Sequence, residues 1–248
     1  QRKPDGFGGV SEYGITVRYE KNHLALIRLL LERHQHYQLF GGVRFGSQIS
    51  KEQAFNQLGF DHIALCLGSG SPRLIPLENN LTLGVRKASD FLMALQSNGA
   101  FHEALLSNLQ VTLPAIIIGG GLTACDAATE LSAYYPRQVL KFARQFKALS
   151  QPEEFLSALS ADQLSLAKKF LADAKVFAAE LKAAKSRGEQ ANFIPLIKAL
   201  GGVSIVYRGP LVNSPAFRLN HEELEETLKS GVKIYQELTP QKIIQDKN

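Results

Sequence analysis

The run Ala115-Ile116-Ile117-Ile118-Gly119-Gly120-Gly121-Leu122-Thr123-Ala124 has the residue types and spacing that bind a phosphate through bare main chain. A short apolar strand breaks into glycines and then reads straight on as a helix. The pattern is GxGxxA, carried by Gly119, Gly121 and Ala124. The first glycine permits the tight turn, the second lets a pyrophosphate approach the backbone, and the small third residue lets helix and strand come close. The free amides at the start of the helix then face the phosphates, assisted by the helix dipole. Gly119, Gly120, Gly121, Leu122, Thr123 and Ala124 are therefore the candidate cofactor-binding residues. Asp126, in the first helical turn, is a further candidate; a structural role stabilised by the helix dipole fits it equally well. Cys125 beside it reads as a buried structural thiol.

A second residue bears on which dinucleotide the loop takes. In such folds an acid at the tip of the next strand binds the ribose hydroxyls of NAD, whereas an Arg accommodates the 2′-phosphate of NADP. The next strand-like segment is 204–207, and the residue at its tip is Arg208. Guanidinium geometry suits phosphate, so NADPH is expected over NADH. A solvated strand end is the plainer reading of Arg208, and Arg218 is a second candidate. No catalytic side chain is singled out. The six histidines show no metal-ligand spacing, so no metal site is expected, and no serine nucleophile elbow is present.

These residues need elements to hold them. The chain has 248 residues, 45% hydrophobic and 21% charged, which is the make-up of a globular protein. A formal charge of +5 suits an anionic cofactor and is too mild for a nucleic-acid reader. No apolar run is long enough for a transmembrane helix. Two cysteines form no framework, which points to a reducing, cytoplasmic setting. The chain starts at Gln1 and its one methionine is Met93, so a fragment of a longer protein is expected.

Helical spacing is expected over 23–33, 50–58 (with Ser50 and Gln53 as a capping box), 87–95 and 121–135, the last ended by Pro136. Strand pieces are expected at 37–40, 42–45, 62–67, 115–118, 203–207 and 232–238. Between 137 and 200 alanine, lysine and leucine dominate, and this stretch reads as a helical insertion. It holds a long helix capped by Ser160 and Gln163, with Leu166, Phe170, Phe177 and Leu181 on one face. Asn220 and Glu223 cap a further helix that Gly231 ends. Alternating strands and helices imply an α/β fold with a parallel sheet.

Several blocks together resemble a known family. Gly8-Gly9-Val10-Ser11-Glu12-Tyr13-Gly14-Ile15, Phe60-Asp61-His62-Ile63-Ala64-Leu65-Cys66-Leu67-Gly68-Ser69-Gly70, Ala88-Ser89-Asp90-Phe91-Leu92, 118–126, and 203–208 followed by 220–231 occur in the order found in the two-dinucleotide-binding-domain flavoprotein reductases. The likeness is to proteins such as the NADPH-dependent small (beta) subunit of glutamate synthase. It covers most of residues 6–240. Leu67 stands where that family has Thr, and Gly209 where it has a second Arg. The family's loop for the FAD pyrophosphate would lie before residue 1.

The resemblance implies a partial FAD-binding domain over 1–107 and a Rossmann-like NAD(P)H-binding domain over 108–248, interrupted by the insertion at about 137–200. It implies FAD and NADPH as cofactors, with Gly9 and Gly68 where backbone nears the flavin. Hydride would pass from NADPH to FAD and on to an acceptor, which could be a protein or a subunit; this segment by itself is expected to be inactive. The alternative reading is a non-catalytic nicotinamide-nucleotide-binding or regulatory module. A more distant one is an interaction scaffold built on helix 160–185.

Overall fold

A computed structural model describes Gly14, Thr16 and residues 24–67, 72, 74–105 and 109–245. The chain divides into two units, His23–Arg73 and a larger one made of Gln1–Asn22 with Leu74–Asn248.

The smaller unit contains two helices. α1 (Leu24–Glu32) leaves Leu26, Ile27, Leu29 and Leu30 exposed. α2 (Lys51–Asn56) begins as expected at Ser50, whose hydroxyl accepts from the Gln53 amide while the Gln53 side chain accepts from the Ser50 amide. The strand pieces expected in this unit do not form. Phe45 and Ile49 make an isolated bridge, and 62–67 has no regular structure, with Leu65 and Leu67 exposed. An apolar run becomes a strand only beside a partner, and no described strand lies alongside these runs.

The larger unit begins its regular structure with α3 (Ala88–Gln96) and then β1 (Ala115–Ile118). α4 (Leu122–Lys147) follows at once, then α5 (Pro152–Ser157), α6 (Ala161–Arg187) and α7 (Ile194–Ala199). β2 (Val203–Val206), a 3₁₀ turn at Leu211–Asn213, α8 (Pro215–Lys229) and β3 (Lys233–Tyr235) complete it. The three strands form one parallel sheet in the order β1-β2-β3. Register runs from Ala115 opposite Val203 to Ile118 opposite Val206, and from Ser204 opposite Lys233 to Val206 opposite Tyr235. The unit is therefore α/β.

One face of the sheet makes the core. Val203 and Ile205 are buried with Ala124, Ala127, Ala128 and Leu131 of α4, and with Leu92 and Leu95 of α3. The other face leaves Ile116 67% exposed. β1 is also an edge strand. Ala115 and Gly119 donate to Gly202 and Val206, so by alternation the main-chain groups of Ile116 and Ile118 face outward.

The segment 137–200 is helical, as its composition implies, but its start is not where the sequence places it. α4 runs unbroken through Pro136 to Lys147. Proline inside a helix removes one hydrogen bond, at a cost of about 3 kcal/mol. Here burial offsets that cost, because Tyr134, Tyr135, Pro136 and Val139 all lie in the core. α6 starts at the expected capping box of Ser160 and Gln163 and ends at Gly188 with φ 71°. It packs on α4 through Phe170 and Phe177, each edge-on to Tyr135 at 6.2 Å. The Tyr135 hydroxyl donates to buried Asp173, whose carboxylate also takes Lys169 Nζ at 3.1 Å. Leu181, expected on the same face, is 44% exposed.

α8 also differs from expectation. It starts at Pro215, with Ser214 capping the Phe217 amide, and not at Asn220. Asn220 is nonetheless a restart: its φ of −159° and ψ of 85° break the helix, and its side chain donates to Glu223. Gly231 ends the element at φ 89°, where a Cβ would come within 2.6 Å of Ile194. Among the described residues no helix is long and apolar enough to cross a membrane.

Candidate functional site

The glycine run sits where β1 hands over to α4. Gly119 takes φ 150°, and its amide donates to Val206 at 3.0 Å, the last rung between β1 and β2. The Ala124 methyl lies beside the turn: a Cβ on Gly119 would be 3.5 Å from it, an ordinary contact. Gly121 is the N-cap of α4, with φ −95° and ψ 171°. A Cβ built on it meets nothing within 4 Å, so its main chain is open to an approaching group. Among the described residues, none accepts the amides of Gly120, Gly121, Leu122 or Thr123. Helix starts carry such donors, and anions satisfy them.

Gly120 is enclosed where Gly121 is open. Its carbonyl accepts the Ala216 amide at the start of α8, at 2.9 Å. On its other side lies the ring of Tyr207, 2.3 Å from where a Cβ would be. The cavity bounded by the loop, Tyr207, Leu211, Ser214 and Leu224 is about 10 Å³, room for a water at most. Whatever binds at this turn must therefore use the open side at Gly121.

Arg208 follows Tyr207 just beyond the tip of β2. Val206 is the partner of Ile118 at the end of β1, so Arg208 lies two residues beyond the last paired position. Its side chain is exposed and makes no ion pair among the described residues. The sequence-based placement of β2 next to β1, across the helical segment, holds. Arg218 is exposed on α8.

Asp126 points elsewhere. It is fully buried, as is Glu130 one turn later. Both press on Gly14, where a Cβ would lie 2.8 Å from Glu130 Cγ and 3.0 Å from Asp126 Cβ. The Thr16 amide donates to Glu130 at 2.6 Å. Asp126 thus lies between α4 and Gly14, away from the open side at Gly121. Cys125 is buried, as expected. Gly9 and Gly68 lie outside the described residues.

Two features escape the sequence. Tyr207 is one; its only signal is a glycine at a position that GxGxxA leaves free. The other is a groove of about 870 Å³ beside β1, lined by Ile116, Ile118, Leu131, Arg86, Lys87 and Lys242 among others. It needs a topology that no local pattern reveals.

No protein-family model matches the chain. An uncharacterized protein of Rickettsia prowazekii (strain Madrid E) is 44% identical over 247 residues. The match covers 100% of this chain and 33% of that protein, so the chain spans about one third of the length of the relative it matches.

Proposed function

We propose that residues 108–248 bind a nicotinamide dinucleotide, with NADPH preferred over NADH. The reading rests on the open main chain at Gly121, beside free amides at the start of α4. Three further features support it. The loop joins a parallel strand to a helix. The strands lie in the order of one half of a doubly wound dinucleotide fold. Arg208 stands just beyond the neighbouring strand tip, two residues past the partner of Ile118.

The residues present suit the cofactor's chemistry. The amides of Gly121, Leu122 and Thr123 would take the diphosphate, aided by the α4 dipole. Arg208 would take the 2′-phosphate through charge-assisted bonds. When bound, the cofactor supplies the hydride; the protein supplies position and electrostatics. No side-chain acid or base is required, in keeping with a loop lined by glycine, leucine, threonine and alanine.

In a longer protein we propose an oxidoreductase of the flavoprotein type that the sequence resembles, passing electrons from NADPH through FAD to an acceptor. Gly14, which falls in one of the resembling blocks, lies against Asp126 and Glu130 of α4. Cys66 is exposed, Cys125 is buried and neither is in a disulfide, which fits a reducing, cytoplasmic compartment.

Calorimetric titration of the chain with NADPH and NADH tests the first part; no heat with either refutes it. A flavin absorbance spectrum of the longest natural form, bleached by NADPH, tests the second. A form that binds NADPH but carries no flavin would instead be a nucleotide-binding regulatory module.

A further inference from the structure

The loop has one glycine more than its motif uses. Gly119 serves the turn and Gly121 the open face, but Gly120 stands at a free position of GxGxxA and its φ is not in the left-handed region. Its neighbour explains it. A Cβ on Gly120 would lie 2.3 Å from Cδ2, 2.4 Å from Cε2 and 2.8 Å from Cγ of Tyr207. Three ring carbons that close, with no side chain between, mean that the ring rests against the main chain of Gly120. Only glycine allows that approach.

Tyr207 is itself fixed. Its amide donates to Tyr235 at 2.8 Å and its carbonyl accepts from Leu238 at 3.1 Å. Gly209 keeps the far edge of the ring clear, where a Cβ would lie 3.4 Å from Cε1. The loop is held from its other side by the bond from Ala216 to Gly120. The cavity of about 10 Å³ under the ring gives it nowhere to sink. An aromatic ring with two rotatable bonds, held this way, is a rigid spacer between the tip of β2 and the start of α4.

We propose that Tyr207 is a positioning residue for the nucleotide, setting the distance between the diphosphate amides at 121–123 and the Arg208 guanidinium. This rests on the nucleotide reading given above. One ligand carries both anionic groups at a separation its own bonds restrict. A site that holds both receptors at that separation before binding keeps the ordering cost low. Without the ring, the strand tip and the loop lose their common reference, and the 2′-phosphate contact weakens first.

The test is calorimetric titration of the chain with NADPH and with NADH, comparing wild type with Tyr207→Ala, Tyr207→Phe and Gly120→Ala. In Tyr207→Ala the preference for NADPH over NADH falls about tenfold, while NADH affinity changes far less. Gly120→Ala, which pushes the ring away, gives the same loss. Tyr207→Phe keeps the ring and the wild-type ratio. Tyr207→Leu, which retains apolar bulk, replaces the alanine variant if that one fails to fold. An unchanged ratio in the ring-less variants overturns the spacer while leaving nucleotide binding intact. A wild type that binds neither nucleotide overturns the underlying reading and the spacer with it.

Discussion

Gln138 hydrogen-bonds both main-chain groups of Val111: the Val111 amide donates to its Oε1 at 2.7 Å, and its Nε2 donates to the Val111 carbonyl at 2.8 Å. A side-chain amide thus stands in for a strand partner. It fixes the approach to β1 from a residue on the far half of α4, past Pro136. The stretch of α4 beyond Pro136 is therefore part of what holds the sheet, and not an appendage to it. Gln138→Leu leaves both groups of Val111 buried and unpaired. The expected destabilisation is about 2–4 kcal/mol, read from the midpoint of a urea melt. A shift too small to measure would mean that water replaces the amide.

Gly121→Val should abolish binding of NADPH and NADH while the thermal midpoint stays within a few degrees of wild type. The open space around a Cβ at 121 and the extended φ of −95° make the side chain tolerable to the fold. The same side chain would lie where a diphosphate approaches. Unchanged calorimetric affinity would place the nucleotide elsewhere.

Arg208→Ala should cost NADPH about 1.5–3 kcal/mol, the range for a hydrogen bond to a charged group. NADH should lose little. Equal losses for the two would assign Arg208 no part in reading the 2′-phosphate.

Tyr134 gives the protein an alkaline limit. Burial pushes its pKa up to about 12 from 10.0, against the opposing pull of the Leu109 amide, which donates to its hydroxyl. The raised value means that the native state holds the phenol proton more tightly than the unfolded chain. The contribution is complete below about pH 10 and is lost as pH rises from there through 12. Tyr135 shifts in the same direction by burial and by the Asp173 carboxylate. Chemical denaturation at pH 9 and pH 11 should show the decline. Tyr134→Phe should remove part of it, and an identical slope in that variant would locate the sensitivity in other groups.

Local signals in the sequence survive folding where one short stretch contains both partners. The capping boxes at Ser50 and Ser160 form as written, because donor and acceptor are three residues apart. The strand–glycine–helix turn at 115–124 is legible for the same reason. Reading fails where a distant partner decides. Pro136 ends an isolated helix, yet here α6 and the core make continuation favourable. The 62–67 run has strand composition but no neighbour to pair with. Asn220 is a helix start, but Ser214 starts one earlier and leaves Asn220 at a kink. Asp126 stands in the first helical turn by position, and only the fold reveals that Gly14 lies against it. Tyr207 lies far along the chain from Gly120, and no periodicity links them.

The outer rim of β1 has a practical consequence. Natural sheets guard such rims with lysine, proline or a bulge, and the four residues Ala115-Ile116-Ile117-Ile118 offer none. Among the described residues nothing pairs with the outward amides and carbonyls of Ile116 and Ile118, so another strand can dock there and dilution becomes a variable in every measurement on this chain. Titrations carried out at rising protein concentration will report stacking of molecules as well as ligand uptake, unless Ile116 is first made charged.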